Sequence, residues 1–161
     1  MSAKEYNKCV DLYADSLYRF AVKMMKQSEA AKDIVQDSFE KLWTNCRKIE
    51  VDKAKSYLFT IAYHAMIDEV RKCKRKAEFI LQNPKTESHN YQYSDLNELL
   101  HRAVDKLPDI QKSVLLLRDY EGYSYAEIEE ITGLNQAQVK VYIYRARLYM
   151  KQYIGSLETV V

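Results

Sequence analysis

Glycine and proline are scarce in this chain, three and two among 161 residues. So few turn formers and helix breakers argue against a sandwich or barrel of short strands and for an all-α fold. Long apolar runs are also missing: none approaches the roughly 20 residues of a membrane-spanning helix. The N-terminal stretch, MSAKEYNKCVDLYADSLYRF, is amphipathic and mixed in charge, unlike a signal peptide, so a cytoplasmic protein is expected. Cys9, Cys46 and Cys73 are widely spaced, as are His64, His89 and His101. With no C-x-x-C pair and no H-x3-H cluster, neither a zinc site nor a disulfide framework is expected. No glycine-rich phosphate loop or catalytic constellation occurs, so the chain reads as a non-enzyme without a cofactor.

What is present is apolar and charged. Hydrophobic residues make up 47% of the chain, enough for a real core, and the net charge is only +2. That small net charge hides an uneven distribution. Residues 119–130 carry Asp119, Glu121, Glu127, Glu129 and Glu130 with no cation, whereas residues 134–155 carry Lys140, Arg145, Arg147 and Lys151 with no acid. A further five cations crowd into RKCKRK, Arg71 to Lys76. Two separate basic patches on a nearly neutral chain point to two contacts with a polyanion.

The second patch lies in the most informative stretch, SYAEIEEITGLNQAQVKVYIYRARLYMKQ, Ser124 to Gln152. Ser124 and Glu127 have the S-x-x-E spacing of a capping box, with Tyr123 and Ile128 placed as its hydrophobic staple. Asn135 and Gln138 repeat the cap, and Leu134 and Val139 repeat the staple. Gly133 falls between, where the first helix must stop and the backbone needs positive φ. Two capped helices about a glycine turn make a helix-turn-helix, whose second helix typically enters the DNA major groove. At about 100° per residue, Val139, Ile143, Ala146 and Met150 share the packed stripe. Ala137, Lys140, Val141, Tyr144, Arg145 and Leu148 lie on or beside the opposite one. Lys140 and Arg145 can reach phosphates or guanine edges, while Arg147 and Lys151 read as backbone contacts.

Helical periodicity sets the remaining elements. A first helix is expected over about Lys4–Lys26, with Leu12, Leu17, Phe20, Ala21, Met24 and Met25 inward. A second, capped by Ser28, is expected over about Glu29–Lys48, with Ile34, Val35, Phe39, Leu42 and Trp43 on one face and Asp33, Gln36, Asp37 and Glu40 on another. A third is expected over about Ala54–Phe79, with Tyr57, Leu58, Ile61, Ala62, Ala65 and Val70 inward. Residues 81–95, polar and aperiodic, read as a flexible linker. A further helix is expected over Asp95–Lys106 and another from Pro108, with Val114 to Leu117 buried. Three parts follow: 1–80, a linker at 81–95, and 96–161.

This order resembles the sigma-70 family of bacterial RNA polymerase sigma factors, specifically the small extracytoplasmic-function (ECF) group, from about Leu12 to Ile154. AAKDIVQDSFEKLW, Ala30 to Trp43, resembles the region 2 helix that docks on the beta-prime clamp helices of core RNA polymerase. The resemblance assigns that contact to Asp33, Gln36, Asp37, Phe39, Glu40 and Trp43. SYLFTIAYHAMIDEVRKCKRK, Ser56 to Lys76, resembles the helix that melts and reads the promoter -10 element, which places Lys53, Lys55, Tyr57, Tyr63, His64, Arg71, Lys72 and Arg75 on DNA. Leu107 to Gln152 resembles region 4, which binds the -35 element and the beta flap. There Gln136, Ala137, Gln138, Lys140, Val141, Tyr144, Arg145 and Arg147 are the expected DNA contacts. The resemblance also implies control by an anti-sigma factor.

The residues suit these roles physically. Strand opening needs aromatics to stack on unpaired bases and cations to hold the backbone. Tyr57, Phe59, Tyr63 and His64 are followed by Arg71, Lys72, Lys74 and Arg75 on one helix; one of Tyr57 and Phe59 must still be core. The chain departs from the family pattern at Tyr57, where tryptophan is frequent, at His64, where asparagine is common, and at Val141 and Tyr142 in place of a serine-arginine pair. These departures bear on the promoter sequence rather than the class. A stand-alone dimeric regulator would share the helix-turn-helix but has no use for the acidic, glutamine-bearing face before an aromatic-basic helix. A helical nuclease would need metal-binding acids clustered near histidine.

Overall fold

The computed structural model describes residues 1–80 and 96–158; the linker expected over 81–95 lies outside the described residues. Among the described residues there are seven α-helices and no strand. They are α1 (Ala3–Met25), α2 (Ser28–Thr44), α3 (Ala54–Ile80), α4 (Leu96–Asp105), α5 (Asp109–Leu115), α6 (Tyr125–Thr132) and α7 (Gln136–Glu158). A 3-10 turn, Val51–Lys53, precedes α3, and a π turn, Leu116–Tyr120, follows α5.

Local chemistry fixes the ends. Ser2 caps α1 through a box the spacing Ser2–Glu5 already offers: the Glu5 N–H donates to Ser2 Oγ at 3.2 Å and the Ser2 N–H to Glu5 Oε2 at 2.7 Å. The helix ends at Lys26, which takes a left-handed φ of 61°. The cap expected of Ser28 is not there. Gln27 occupies the N-cap position without a side-chain bond and Ser28 is the first helical residue. Asn45 ends α2 several residues short of Lys48, its amide folding back onto the Lys41 carbonyl at 2.9 Å.

Helices α1, α2 and α3 pack on one another, and α4, α5 and α6 pack against α7. The two groups also meet, chiefly where α6 lies on α3 and α5 touches α1. One continuous apolar core results, from Leu17, Phe20, Leu42, Leu58 and Met66 to Leu116, Leu117, Ile128, Val139 and Ile143. Helix α3 is therefore packed on both sides. Phe59, Tyr63, Met66 and Ile67 are buried in addition to the expected Leu58 and Ala62, so the inward face is wider than periodicity alone suggests. Two expected core residues lie outside. Leu12 is 59% exposed and Trp43 50%. The run Val114 to Leu117 is buried on every side, as expected.

Phe59 is the hinge of this arrangement. Its ring stands 5.8 Å from Phe20 and 5.0 Å, edge-on, from Tyr123. Phe59→Ala is expected to cost about 3–5 kcal/mol, the range for emptying a buried phenylalanine site. Urea unfolding should still show a single transition, since both helical groups share that core; two separated transitions would contradict the continuous core.

Candidate nucleic-acid interface

The helix-turn-helix forms by the expected caps. Ser124 Oγ accepts from the Glu127 N–H at 3.2 Å, and Glu127 Oε1 accepts from the Ser124 N–H at 3.3 Å. Asn135 Oδ1 accepts from the Gln138 N–H at 2.8 Å and Gln138 Oε1 from the Asn135 N–H at 3.0 Å. Gly133 takes a φ of 77° between them. Tyr123, Ile128 and Val139 are buried as staples require, with Leu134 half-buried.

Helix α7 then presents a continuous outer face. Gln136, Ala137, Gln138, Lys140, Val141, Tyr144, Arg145 and Arg147 are all exposed, while Val139, Ile143 and Ala146 are buried on the other side. Tyr144 is 67% exposed, an apolar ring held in water without a packing role. Gln138 spends its carbonyl oxygen on the cap, leaving the amide nitrogen for other partners. Arg147 is clamped by Asp119 through two bonds, Nε–Oδ2 at 3.0 Å and Nη2–Oδ1 at 2.5 Å, and that acid holds the guanidinium above its ordinary pKa. The sequence reading missed this clamp, although a cation-free acidic stretch beside a basic helix was its visible sign.

On α3, Arg71, Lys72 and Arg75 are exposed, as are His64 and, in the preceding turn, Lys53. Tyr57 is half-buried, its hydroxyl accepting from Asn45 Nδ2 at 3.1 Å. Tyr63 is not on this face. It is buried, edge-on to His64 with centroids 5.2 Å apart. Phe59 is core, so of Tyr57 and Phe59 it is Phe59 that the bundle takes. Lys55 is held by Glu127 of α6 at 3.0 Å and also lies over the Tyr123 ring at 4.1 Å.

The acidic face of α2 is open: Asp33, Gln36, Asp37 and Glu40 are exposed along one side. Phe39 is buried and lies beneath that face rather than on it. Trp43 extends the face at half exposure and rests edge-on against Tyr6, centroids 4.9 Å apart. The Tyr6 hydroxyl donates to the Phe39 carbonyl at 3.0 Å. Tyr6 is thus the support the sequence reading overlooked; its place inside the first amphipathic helix gave no separate signal.

Among the described residues no three of His, Cys, Asp and Glu gather closely enough to hold a metal ion. None of the helices there is long and apolar enough to cross a membrane.

Comparisons with known proteins find relatives for both helical groups. The model of Sigma-70 region 2 matches residues 9–76, and that of Sigma-70, region 4, residues 97–150. The chain is 32% identical over 148 residues to the RNA polymerase sigma factor SigV of Bacillus subtilis (strain 168), covering 89% of this chain and 87% of SigV. It is 29% identical over 147 residues to the ECF RNA polymerase sigma factor SigM of the same organism, covering 87% of this chain and 89% of SigM. Among solved structures, the fold resembles that of the sigma factor RpoE in complex with the anti-sigma factor NepR from Bartonella quintana. The TM-score there is 0.78 at 24% identity, over 95% of this chain and 98% of that one.

Burial raises the hydroxyl pKa values of Tyr63, Tyr120 and Tyr123, Tyr123 most, with Glu121 adding to the Tyr123 shift. A raised tyrosine contributes stability that is intact below the unfolded pKa of about 10 and is lost as pH climbs past it. Lys112 runs the other way. Burial lowers its pKa below 10.5 against the pull of Asp105, so stability rises with pH until the unfolded lysine has deprotonated. The urea midpoint should therefore fall most steeply above pH 10.5, and Tyr123→Phe should flatten that fall. An equally steep fall in Tyr123→Phe would rule out Tyr123 as its main source.

Proposed function

The chain belongs to the sigma-70 family of RNA polymerase sigma factors, in its extracytoplasmic-function group, and we propose that its two helical groups divide a promoter between them. It is a non-catalytic subunit that directs promoter-specific initiation by core RNA polymerase; nucleotidyl transfer belongs to the polymerase.

In this reading residues 1–80 are region 2 and 96–161 region 4. Helix α7 enters the major groove at the -35 element. Lys140 and Arg145 reach phosphates or guanine edges, Tyr144 and Val141 meet thymine methyls, and Gln136, Ala137 and Gln138 lie at the end of the helix nearest the bases. Helix α3 faces the -10 element. Arg71, Lys72 and Arg75 hold the separated strand, Tyr57 and His64 offer rings for stacking, and Lys53 and Lys55 flank the entrance. The acidic face of α2, Asp33, Gln36, Asp37 and Glu40 with Trp43, docks on the beta-prime clamp helices. Phe39 sets the pitch of that face from beneath. The protein works in the cytoplasm, with the polymerase, and an anti-sigma factor is its natural regulator.

One observation carries this reading. An exposed acidic helix face, a basic C-terminal turn on the next long helix and a doubly capped helix-turn-helix occur together in one chain, in the order of the two matched regions. A duplex-binding regulator needs only the last of these.

Transcription in vitro with core polymerase from the source bacterium, on genomic fragments, tests it. Defined transcripts should depend on the protein and disappear with Asp37→Lys, which reverses charge on the docking face. Arg145→Ala should cost about 1–3 kcal/mol in binding a promoter the protein selects. Arg75→Ala should lower the salt slope of binding by about one unit, as expected for one lost phosphate contact. Absence of transcripts together with tight binding to a palindromic duplex would instead identify a stand-alone regulator.

A further inference from the structure

The π turn Leu116–Tyr120 carries one acid to the outer face of α7. Leu116 and Leu117 stay in the core, the Leu116 carbonyl accepts from the Glu121 N–H at 3.0 Å, one residue beyond α-helical spacing, and Asp119 emerges at the surface. There Asp119 meets Arg147, Nε to Oδ2 at 3.0 Å and Nη2 to Oδ1 at 2.5 Å. This pairing is side-on. It takes the Nε edge of the guanidinium and leaves the end-on edge, formed by Nη1 and the second N–H of Nη2, clear of the carboxylate. The Arg147 side chain is 50% exposed, so solvent and ligands can reach it.

A neighbouring support follows the same plan. Tyr125, the first residue of α6, takes Arg118 over its ring at 4.6 Å and Lys140 of α7 at 5.6 Å, both within cation–π reach. Arg118 is fixed there by donating from Nη1 to the Tyr123 carbonyl at 2.8 Å. Lys140 and Arg147, two of the cations read as DNA contacts, are thus both held by residues outside α7.

We propose that Asp119 is a positioning residue: it holds Arg147 side-on so that the end-on fork, Nη1 and Nη2, is presented ready-made to a phosphate of the -35 duplex. The inference rests on the reading of α7 as the helix that binds that duplex. A carboxylate so close has two opposing effects on an approaching phosphate. Its charge repels the phosphate, while its fork removes in advance the rotamer freedom that a long side chain loses on binding. Repulsion between exposed groups is screened by water and salt, and the phosphate meets the edge away from Asp119. The free edge also matches a pair of phosphate oxygens in the bidentate geometry that arginine favours. Orientation therefore outweighs charge.

The sign of one substitution tests this. The full chain, with core polymerase from the source bacterium, is titrated against a promoter fragment it selects, across a sodium chloride series. By charge alone, Asp119→Ala would tighten binding, since it removes an acid beside DNA. Positioning predicts the reverse: Asp119→Ala should weaken binding by roughly three- to ten-fold, within the range for coupled neighbours, and lower the salt slope towards that of Arg147→Ala, about one unit below wild type. The double variant Asp119→Ala/Arg147→Ala should bind no more weakly than Arg147→Ala, and Asp119→Glu, which can rebuild the fork, should recover most of the loss. Unchanged or tighter binding by Asp119→Ala overturns the proposal. So do losses that add in the double variant, which would mark Asp119 as acting through the fold, and wild-type binding by Arg147→Ala. Thermal unfolding followed by circular dichroism identifies an Asp119→Ala protein that does not fold, in which case the near-isosteric Asp119→Asn decides by the same comparison. Transcription on the same fragments separates the two claims: initiation by wild type with Asp119→Ala binding undiminished sinks the positioning role alone, whereas no binding and no initiation by wild type with core sinks the sigma reading and this inference with it.

Discussion

The edge-on contact between Phe59 and Tyr123 is the interaction on which the arrangement depends. Phe59 sits at zero exposure on α3, with Phe20 behind it and Tyr123 in front. Burying such a ring stabilises by about 1.5–3 kcal/mol, and edge-on geometry adds about 0.5–1.5 kcal/mol. Each exposed ion pair around it contributes about 0–1 kcal/mol. The aromatic centre therefore contributes more than any single ion pair around it, and those rim pairs weaken with salt.

That centre constrains what α3 can offer to a ligand. A helix packed on two sides has only a narrow strip left over. Phe59 and Tyr63 are consumed as core, so among the described side chains the ring-bearing positions left on α3 are His64 and the half-buried Tyr57, followed by Arg71, Lys72 and Arg75. Stacking capacity and core packing draw on the same residues, and in this conformation packing takes the larger share. The same holds on α2, where Phe39 is buried to fix the helix while Asp33, Gln36, Asp37 and Glu40 stay in water.

Local signals were legible in the sequence and long-range ones were not. Both caps of the helix-turn-helix, its glycine turn and the packed stripe of α7 depend on residues within a few positions of each other, and periodicity places them. Ser28 is a good capping residue by type, but the chain enters the helix one residue earlier, at Gln27, whereas Ser2 and Glu5 form a full box at the start of α1. The inward face of α3 is wider than periodicity marks, because periodicity cannot say that a second layer, α6, covers the opposite side. Leu12 and Trp43 fit the apolar stripe by spacing yet stand exposed, since periodicity marks a face without saying what covers it. The partners of Lys55 and Arg147 lie 72 and 28 residues away, beyond any local rule.

The cation-free stretch 119–130 lies next to the basic helix α7, where a run of acids could simply be a solvated face. A solvated face would show exposed acids and small electrostatic consequences. Instead Glu121 is almost wholly covered and Glu127 is held below the ordinary carboxylate range, hydrogen bonds from Lys55 and Ser124 outweighing the opposing effect of burial. Asp119 meanwhile pairs with Arg147. Each of these acids answers a cation far from it in the sequence, so a nearly neutral chain carries its charge in segregated blocks that pair between helices rather than along them.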